Sequence, residues 1–208
     1  MEPVSQQRVP QPSQYTQNPI WFQNFYRVRK KVLTVGNKYW IEDANGNILG
    51  FSKQKIFKLK EDIRIYTDET MQEELFRIQQ TQIIDVWGKF AVIDSKTNTI
   101  LGYVRRNFLK STFAPDEWEV YDANENLIGH IKEETSTGLM RKYMPGGGLI
   151  PEKMTMYLHG QPVAEIEQQF KIIGDIWELR CLNIPPYLDR RVLLAGLILM
   201  AMIERQHK

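Results

Sequence analysis

The chain has 208 residues, a length typical of one domain with short appendages. Hydrophobic residues make up 42% and charged residues 25%, which excludes a disordered or collagen-like chain and a polytopic membrane protein. The net charge of +2 is too small to indicate nucleic-acid binding. A single cysteine, Cys181, excludes an intramolecular disulfide and cannot supply a zinc site.

The first 20 residues are rich in proline and glutamine and contain almost no large aliphatic side chains. Such a stretch cannot bury enough apolar surface to offset the entropy lost on ordering, so we predict a flexible tail over residues 1–20. It has neither the basic start nor the apolar run of a signal peptide. Residues 21–208 are predicted to form a single folded domain.

From Trp21 to Cys181 the sequence predicts an all-β domain, because short Val-, Ile- and aromatic-rich runs alternate with turn residues roughly every eight to twelve residues. We predict about twelve strands. They lie near residues 25–34, 37–43, 47–53, 62–67, 73–81, 87–94, 99–106, 117–122, 126–133, 154–159, 162–170 and 175–181. Two longer connections contain the basic stretch 53–60 and the loop 145–151.

One hairpin pattern recurs three times, as YWIEDANGNILG at 39–50, FAVIDSKTNTILG at 90–102 and WEVYDANENLIG at 118–129. Asp and Asn cap such turns through their side chains, and Asn45-Gly46 favours a type I′ hairpin. A degenerate fourth copy turns at His159-Gly160. The turns that follow Asp43 and Asp122 lack the Gly and Glu spacing of a calcium-binding EF-hand loop, so we favour turn capping over calcium binding.

The last segment predicts a helix over residues 188–206, with Asp189 as a candidate N-cap and twelve consecutive apolar residues, Val192–Ile203. A helix that is apolar on every face must be buried in protein or in lipid. This run spans about 18 Å, short of the roughly 30 Å hydrocarbon core of a bilayer, which favours burial in protein. A sheet of twelve strands tends to close and would enclose the helix.

This ordered combination resembles the tubby C-terminal-like superfamily, and within it the LURP-one-related and phospholipid scramblase-like branch. The resemblance rests on the three hairpin motifs and on the ending IPPYLDRRVLLAGLILMAMIER, and it covers about residues 25–206. It implies a closed antiparallel barrel of about twelve strands, mainly β, around a buried hydrophobic C-terminal helix.

The chain also departs from these families. Scramblase-type members carry a cysteine-rich segment that is palmitoylated and an acidic segment to which calcium binding is attributed. Here Cys181 stands alone and only Asp189 lies near the helix, so neither property transfers. Tubby proteins bind phosphoinositides through a basic pocket, but no motif in this sequence identifies the residues of that pocket.

Basic residues alternate in the first strand, with Arg27, Arg29 and Lys31 on one face and the apolar residues Tyr26, Val28 and Val32 on the other. We therefore predict contacts with anionic phospholipid headgroups. The candidate residues are Arg27, Arg29, Lys31, Lys53, Lys55, Lys58 and Lys60. The alternative is a solvated outer surface on which charges protect the barrel from aggregation.

The sequence shows no catalytic constellation, since its three histidines are scattered and Gly146-Gly147-Gly148 lacks the residues of a P-loop. We expect no cofactor, no metal and no nucleic acid. The resemblance and the basic face favour a cytoplasmic, non-enzymatic protein that associates reversibly with anionic phospholipid membranes or with a protein partner. One alternative is a scramblase-like lipid-transport protein whose C-terminal helix is inserted in the bilayer. Another is a barrel that holds an apolar small molecule.

Overall fold

In the computed structural model, the described residues are 19–33, 36–54, 62–81, 88–106, 117–147, 150–170 and 175–203. Within them, twelve antiparallel strands form a closed barrel in which each strand pairs with its neighbours in the chain. The strands are β1 Phe25–Leu33, β2 Gly36–Glu42, β3 Ile48–Gln54, β4 Asp62–Tyr66, β5 Glu74–Gln80, β6 Lys89–Asp94, β7 Ile100–Arg106, β8 Glu117–Tyr121, β9 Leu127–Glu133, β10 Lys153–Leu158, β11 Gln161–Phe170 and β12 Asp175–Cys181. All twelve predicted strands are confirmed, with ends that differ by one or two residues.

Pairing of β1 with β12 closes the barrel, with Phe25 opposite Arg180 and Arg29 opposite Ile176. In β1 the side chains alternate as the sequence predicts. Tyr26 and Val28 are buried in the core, whereas Arg27, Arg29 and Lys31 face outward. The side chain of Val32 lies outside the described part of the chain. Residues 19–22 form one turn of 3-10 helix ahead of β1, and most of the predicted tail lies outside the described residues.

The C-terminal helix, here called α2 (Arg190–Ile203), fills the barrel. Its apolar side chains from Val192 to Met202 are buried and belong to the same core as the inward-facing strand residues. The Asp189 side chain accepts the backbone N–H of Arg191 at 2.9 Å, which confirms the predicted N-cap. Neither helix in the described residues has the length and hydropathy needed to cross a bilayer.

A second helix, α1 (Thr135–Tyr143), connects β9 to β10, where the sequence predicts only a loop. Its first turn, Thr-Ser-Thr-Gly, consists of weak helix formers, so local propensity does not indicate a helix. The side chain of Arg141 anchors α1 to the barrel through Glu133, at the end of β9. This tertiary contact outweighs the poor propensity of the segment.

The turn aspartates cap their hairpins as predicted. Asp43 Oδ1 accepts the backbone N–H groups of Asn45 and Asn47, both at 2.8 Å, and Asp122 repeats the same bonds in its own turn. The predicted type I′ turn at Asn45-Gly46 is wrong, because only Gly46 has a positive φ (84°). The hydrogen bonds of Asp43 stabilise a turn longer than two residues, and the β2–β3 pairing has a bulge between Ile41 and Glu42. The type I′ conformation occurs instead at His159-Gly160, where φ is 46° and 80°.

The glycines that end the second and third repeated motifs lie where another part of the backbone approaches closely. A Cβ atom at Gly129 would lie 2.1 Å from the carbonyl oxygen of Tyr157 in β10. At Gly102 it would lie 2.7 Å from the carbonyl oxygen of Tyr121 and 3.0 Å from Val192 of α2. These two motifs therefore end in glycine because the neighbouring strand, and at Gly102 the central helix, leave no space for a side chain. At Gly50, which ends the first motif, a Cβ atom would meet side chains at 3.2 and 3.3 Å and backbone only at 3.4 Å.

We expect Gly129→Ala to lower the free energy of unfolding by about 1–3 kcal/mol, because the added methyl group meets backbone that must move. Gly46→Ala is the control, since Gly46 has positive φ but open space around it. Its cost should be only the backbone strain of about 1 kcal/mol. Urea denaturation of both variants measures the difference, and equal losses would contradict the steric explanation.

The barrel has two chemically different ends. The turns of hairpins β2–β3, β4–β5, β6–β7, β8–β9 and β10–β11 lie at one end, here called the turn end. Four aspartates occupy these turns: Asp43, Asp68, Asp94 and Asp122. The odd-numbered strands finish at the opposite end, here called the α1 end because α1 lies there.

Candidate functional site

Three lysines lie side by side on neighbouring strands near the α1 end. Lys31 of β1 is opposite Lys38 of β2, and Lys38 is opposite Lys53 of β3. The alternation of β1 places this row on the outer face of the barrel. Lys31 and Lys53 are exposed, and Lys38 is half-buried. We call Lys31, Lys38 and Lys53 the lysine row.

One carboxylate, Glu69, contacts this row from the β4–β5 turn. The turn reaches the row because β4 is staggered, with its last residue, Tyr66, opposite Phe51 in the middle of β3. Its Oε2 lies 2.7 Å from Lys38 Nζ, and its Oε1 accepts a 2.9 Å hydrogen bond from Trp40 Nε1. The bond from Lys38, then that from Trp40, and the nearby charge of Lys31 lower the pKa of Glu69. Glu69 is therefore ionised at neutral pH, and it offsets one of the three positive charges of this cluster.

The other predicted residues of the basic face have different surroundings. Arg27 lies 2.8 Å from Glu178 of β12, and Arg29 lies 2.8 Å from Glu42 of β2. The Arg29 guanidinium also lies over the ring of Trp40, 4.4 Å from its centroid. Both arginines therefore form ion pairs with carboxylates on neighbouring strands, while Lys31 and Lys53 lie in the lysine row. The remaining candidates, Lys55, Lys58 and Lys60, lie outside the described residues.

Sequence reasoning missed Lys38, the central member of the row. Its position follows from the register of the β1–β2 hairpin, in which Leu33 pairs with Gly36. A prediction of that two-residue connection would have placed Lys38 opposite Lys31. The connecting residues Thr34 and Val35 lack the Asn-Gly or Asp-Gly signature by which such a hairpin is identified.

A groove of about 700 Å³ lies outside the barrel, along β9 and β10 and the start of α1. Its lining includes His130, Lys132 and Tyr157. Glu117 lies 3.0 Å from His130 Nδ1 and 3.6 Å from Lys132 Nζ, so this carboxylate has an imidazole and a lysine ammonium group beside it. Across the described residues, no group of three or more His, Cys, Asp or Glu side chains is arranged to hold a metal ion.

A buried ion cluster lies where α2 enters the barrel. The Arg191 guanidinium bonds both oxygens of Asp189 and also Asp94, and it lies 5.0 Å from the ring centroid of Trp21. Asp94 in turn accepts the backbone N–H groups of Lys96 and Thr97 in the β6–β7 turn. The cluster connects the central helix to this turn and has a structural role.

A closed barrel of twelve antiparallel strands around an apolar helix defines the tubby-like fold. The family model described as LURP-one-related matches residues 48–201, and the chain belongs to that family. The X-ray structure of an Arabidopsis thaliana protein is similar in fold, with 13% identity and a TM-score of 0.51 over 89% of this chain and 95% of that one. A search of curated proteins gave no match. The family and the fold fit a non-enzymatic binding protein.

Proposed function

We propose that this protein is a non-enzymatic binding protein that attaches reversibly to anionic phospholipid membranes through the lysine row. The observation that carries the proposal is the direct opposition of Lys31, Lys38 and Lys53 on three neighbouring strands. Like charges at directly opposed positions destabilise a sheet. A row of this kind lowers the stability of the barrel, and a ligand with negative charge would account for its presence.

The strength of such an attachment follows from the number of cations. Each lysine close to an anionic leaflet contributes about 1 kcal/mol, and Glu69 already offsets Lys38, so Lys31 and Lys53 together supply about 2 kcal/mol. Electrostatic attraction of this size supports weak, reversible binding but not stable anchoring. Arg27 and Arg29 contribute less than the sequence suggests, because Glu178 and Glu42 already offset their charges.

The buried position of α2 supports this proposal over the scramblase-like alternative. Insertion of that helix in a bilayer would require its apolar side chains to leave the barrel, where they form the centre of the core. Reversible surface attachment leaves this packing unchanged.

We expect the double variant Lys31→Gln, Lys53→Gln to bind phosphatidylserine-containing vesicles roughly 30-fold more weakly than the wild type, the equivalent of about 2 kcal/mol. Co-sedimentation at low ionic strength measures this change. Binding should also weaken as salt rises to 0.15 M, where the Debye length falls to about 8 Å. Vesicles of phosphatidylcholine alone should not bind.

The matched control is the double variant Lys96→Gln, Arg180→Gln. It also removes two positive charges, but from exposed residues near the turn end. This control should bind vesicles as the wild type does, since neither residue belongs to the lysine row. Equal losses in both double variants would show that only net charge matters and would contradict the proposal. Absence of wild-type binding at low salt would contradict it as well.

A further inference from the structure

Helix α1 packs on the barrel through a charged side chain, while its apolar side chains face solvent. The side chain of Arg141 points into the protein, where it is buried with two buried carboxylates. Its Nε and Nη2 lie 2.8 and 3.2 Å from the oxygens of Glu133, and its Nη1 lies 2.9 Å from Glu152. A bidentate Arg–carboxylate pair has a defined geometry, so these contacts fix how the helix is rotated about its axis.

The opposite surface of α1 is apolar and exposed. Leu139, Met140, Tyr143 and Met144 expose between 41% and 66% of their surface. The spacing of Leu139, Met140 and Tyr143 places them on one side of α1, and Met144 directly follows the last helical residue, so the four form one apolar stripe. Surface helices usually bury such a stripe against the core. Here the charged residue is buried and the apolar residues face solvent.

This stripe lies at the same end of the barrel as the lysine row. Helix α1 follows β9 and precedes β10, and their adjoining ends carry two more exposed lysines. Lys132 lies 3.6 Å from Glu117 and Lys153 lies 3.3 Å from Glu167, so these carboxylates offset their charges. The lysine row lies near the point where β1 and β3 end, which is the same end of the antiparallel barrel. The α1 end of the barrel therefore carries both the lysine row and the exposed apolar stripe.

We infer that α1 inserts its apolar stripe into the interfacial region of the anionic bilayer to which the lysine row binds. This inference rests on the proposed function. The occupant is a bilayer because the lysine row lies at the end that presents the stripe, whereas Asp43, Asp94 and Asp122 lie in turns at the opposite end. Reversible attachment to lipid becomes tighter when electrostatic attraction is joined by an apolar contact, and α1 supplies the second contact.

The test compares two triple variants on vesicles of phosphatidylcholine and phosphatidylserine. We expect the triple variant Met140→Gln, Tyr143→Gln, Met144→Gln to bind at least about tenfold more weakly than the wild type. The reason is that three apolar side chains that would move from water into the bilayer are replaced by polar ones. The matched control changes exposed apolar residues at the turn end, Ile48→Gln, Leu127→Gln, Tyr187→Gln, whose exposures lie between 50% and 62%. The control should bind as tightly as the wild type. Both variants should keep the wild-type unfolding temperature, since the changed side chains are exposed.

A fluorescent label gives a readout that does not depend on affinity. In a Cys181→Ala background, a label on Met144→Cys should shift to the blue and be quenched by brominated lipid when vesicles are added. The same label on Tyr187→Cys should do neither. These results would support insertion of α1 rather than contact of the whole barrel with the membrane.

Several results would overturn the inference. If the α1 variant binds like the wild type while the Lys31→Gln, Lys53→Gln variant does not, α1 does not insert and the proposed function stands. If the wild-type protein does not bind the vesicles, both fail. If the α1 changes abolish a dimer in sedimentation while vesicles cause no shift of the label at position 144, the stripe is a contact between copies of this chain and the inference is wrong.

Discussion

Replacing Leu197 with arginine should abolish folding of the barrel. Leu197 lies near the middle of α2, is fully buried, and has core residues from the strands around it. An unpaired charge in such a position costs several kcal/mol, and the total stability of a domain is only about 5–15 kcal/mol. We expect Leu197→Arg to accumulate as insoluble protein, or to give a circular dichroism spectrum without the β signal of the wild type.

The matched control is Leu182→Arg, which introduces the same change at an exposed leucine just after β12. This variant should remain soluble and unfold close to the wild-type temperature, because exposed substitutions usually change stability by less than about 0.5 kcal/mol. A soluble, β-rich Leu197→Arg protein would contradict a structural role of the central helix.

The barrel and its central helix could be predicted because each has a strong local pattern. Val192–Ile203 is apolar on every face and too short for a bilayer, and the hairpin motifs repeat with the same turn residues. Both patterns depend on residues close together in the chain. The strands themselves were therefore predicted to within one or two residues.

The contacts that define the candidate site could not be predicted in this way. Glu178, the partner of Arg27, lies 151 residues away in the chain, and the two meet only because β1 pairs with β12. The alternation of β1 predicted that Arg27 and Arg29 face outward, but it did not predict which of the cations would have a carboxylate beside it. Likewise, α1 forms because Arg141 meets Glu133 and Glu152, and its local sequence favours a loop.

The position of Arg191 is a further feature that the local sequence does not indicate. Charged residues that flank an apolar helix usually lie at its boundary with water. In the structure Arg191 is buried, with Asp189 on its own segment and Asp94 at a separation of 97 residues. Burial raises the pKa of Asp94, but the backbone bond from Thr97 and the Arg191 guanidinium outweigh it, so the pKa lies below its usual value.

We expect Arg191→Met to lower the free energy of unfolding by about 3–5 kcal/mol at neutral pH, because it leaves the Asp94 carboxylate buried without its cation. Urea denaturation followed by circular dichroism measures the loss. The double variant Arg191→Met, Asp94→Asn is the control, since it removes the uncompensated charge and keeps a side chain that accepts the turn hydrogen bonds. It should recover most of the lost stability, and a double variant as unstable as Arg191→Met would contradict this explanation.

The loss should also depend on pH, with a sign that follows from the lowered pKa of Asp94. In the wild type this carboxylate contributes stability that is present above its unfolded pKa of about 3.9 and disappears as pH falls through the lower folded value. Without Arg191, the folded pKa of Asp94 lies higher than in the wild type, because the cation that favours the ionised form is gone, and protonation then relieves the variant as the pH falls. The stability difference between the wild type and Arg191→Met should therefore shrink from pH 7 to pH 4. A difference that stays constant over this range would show that Arg191 acts through packing rather than through its charge.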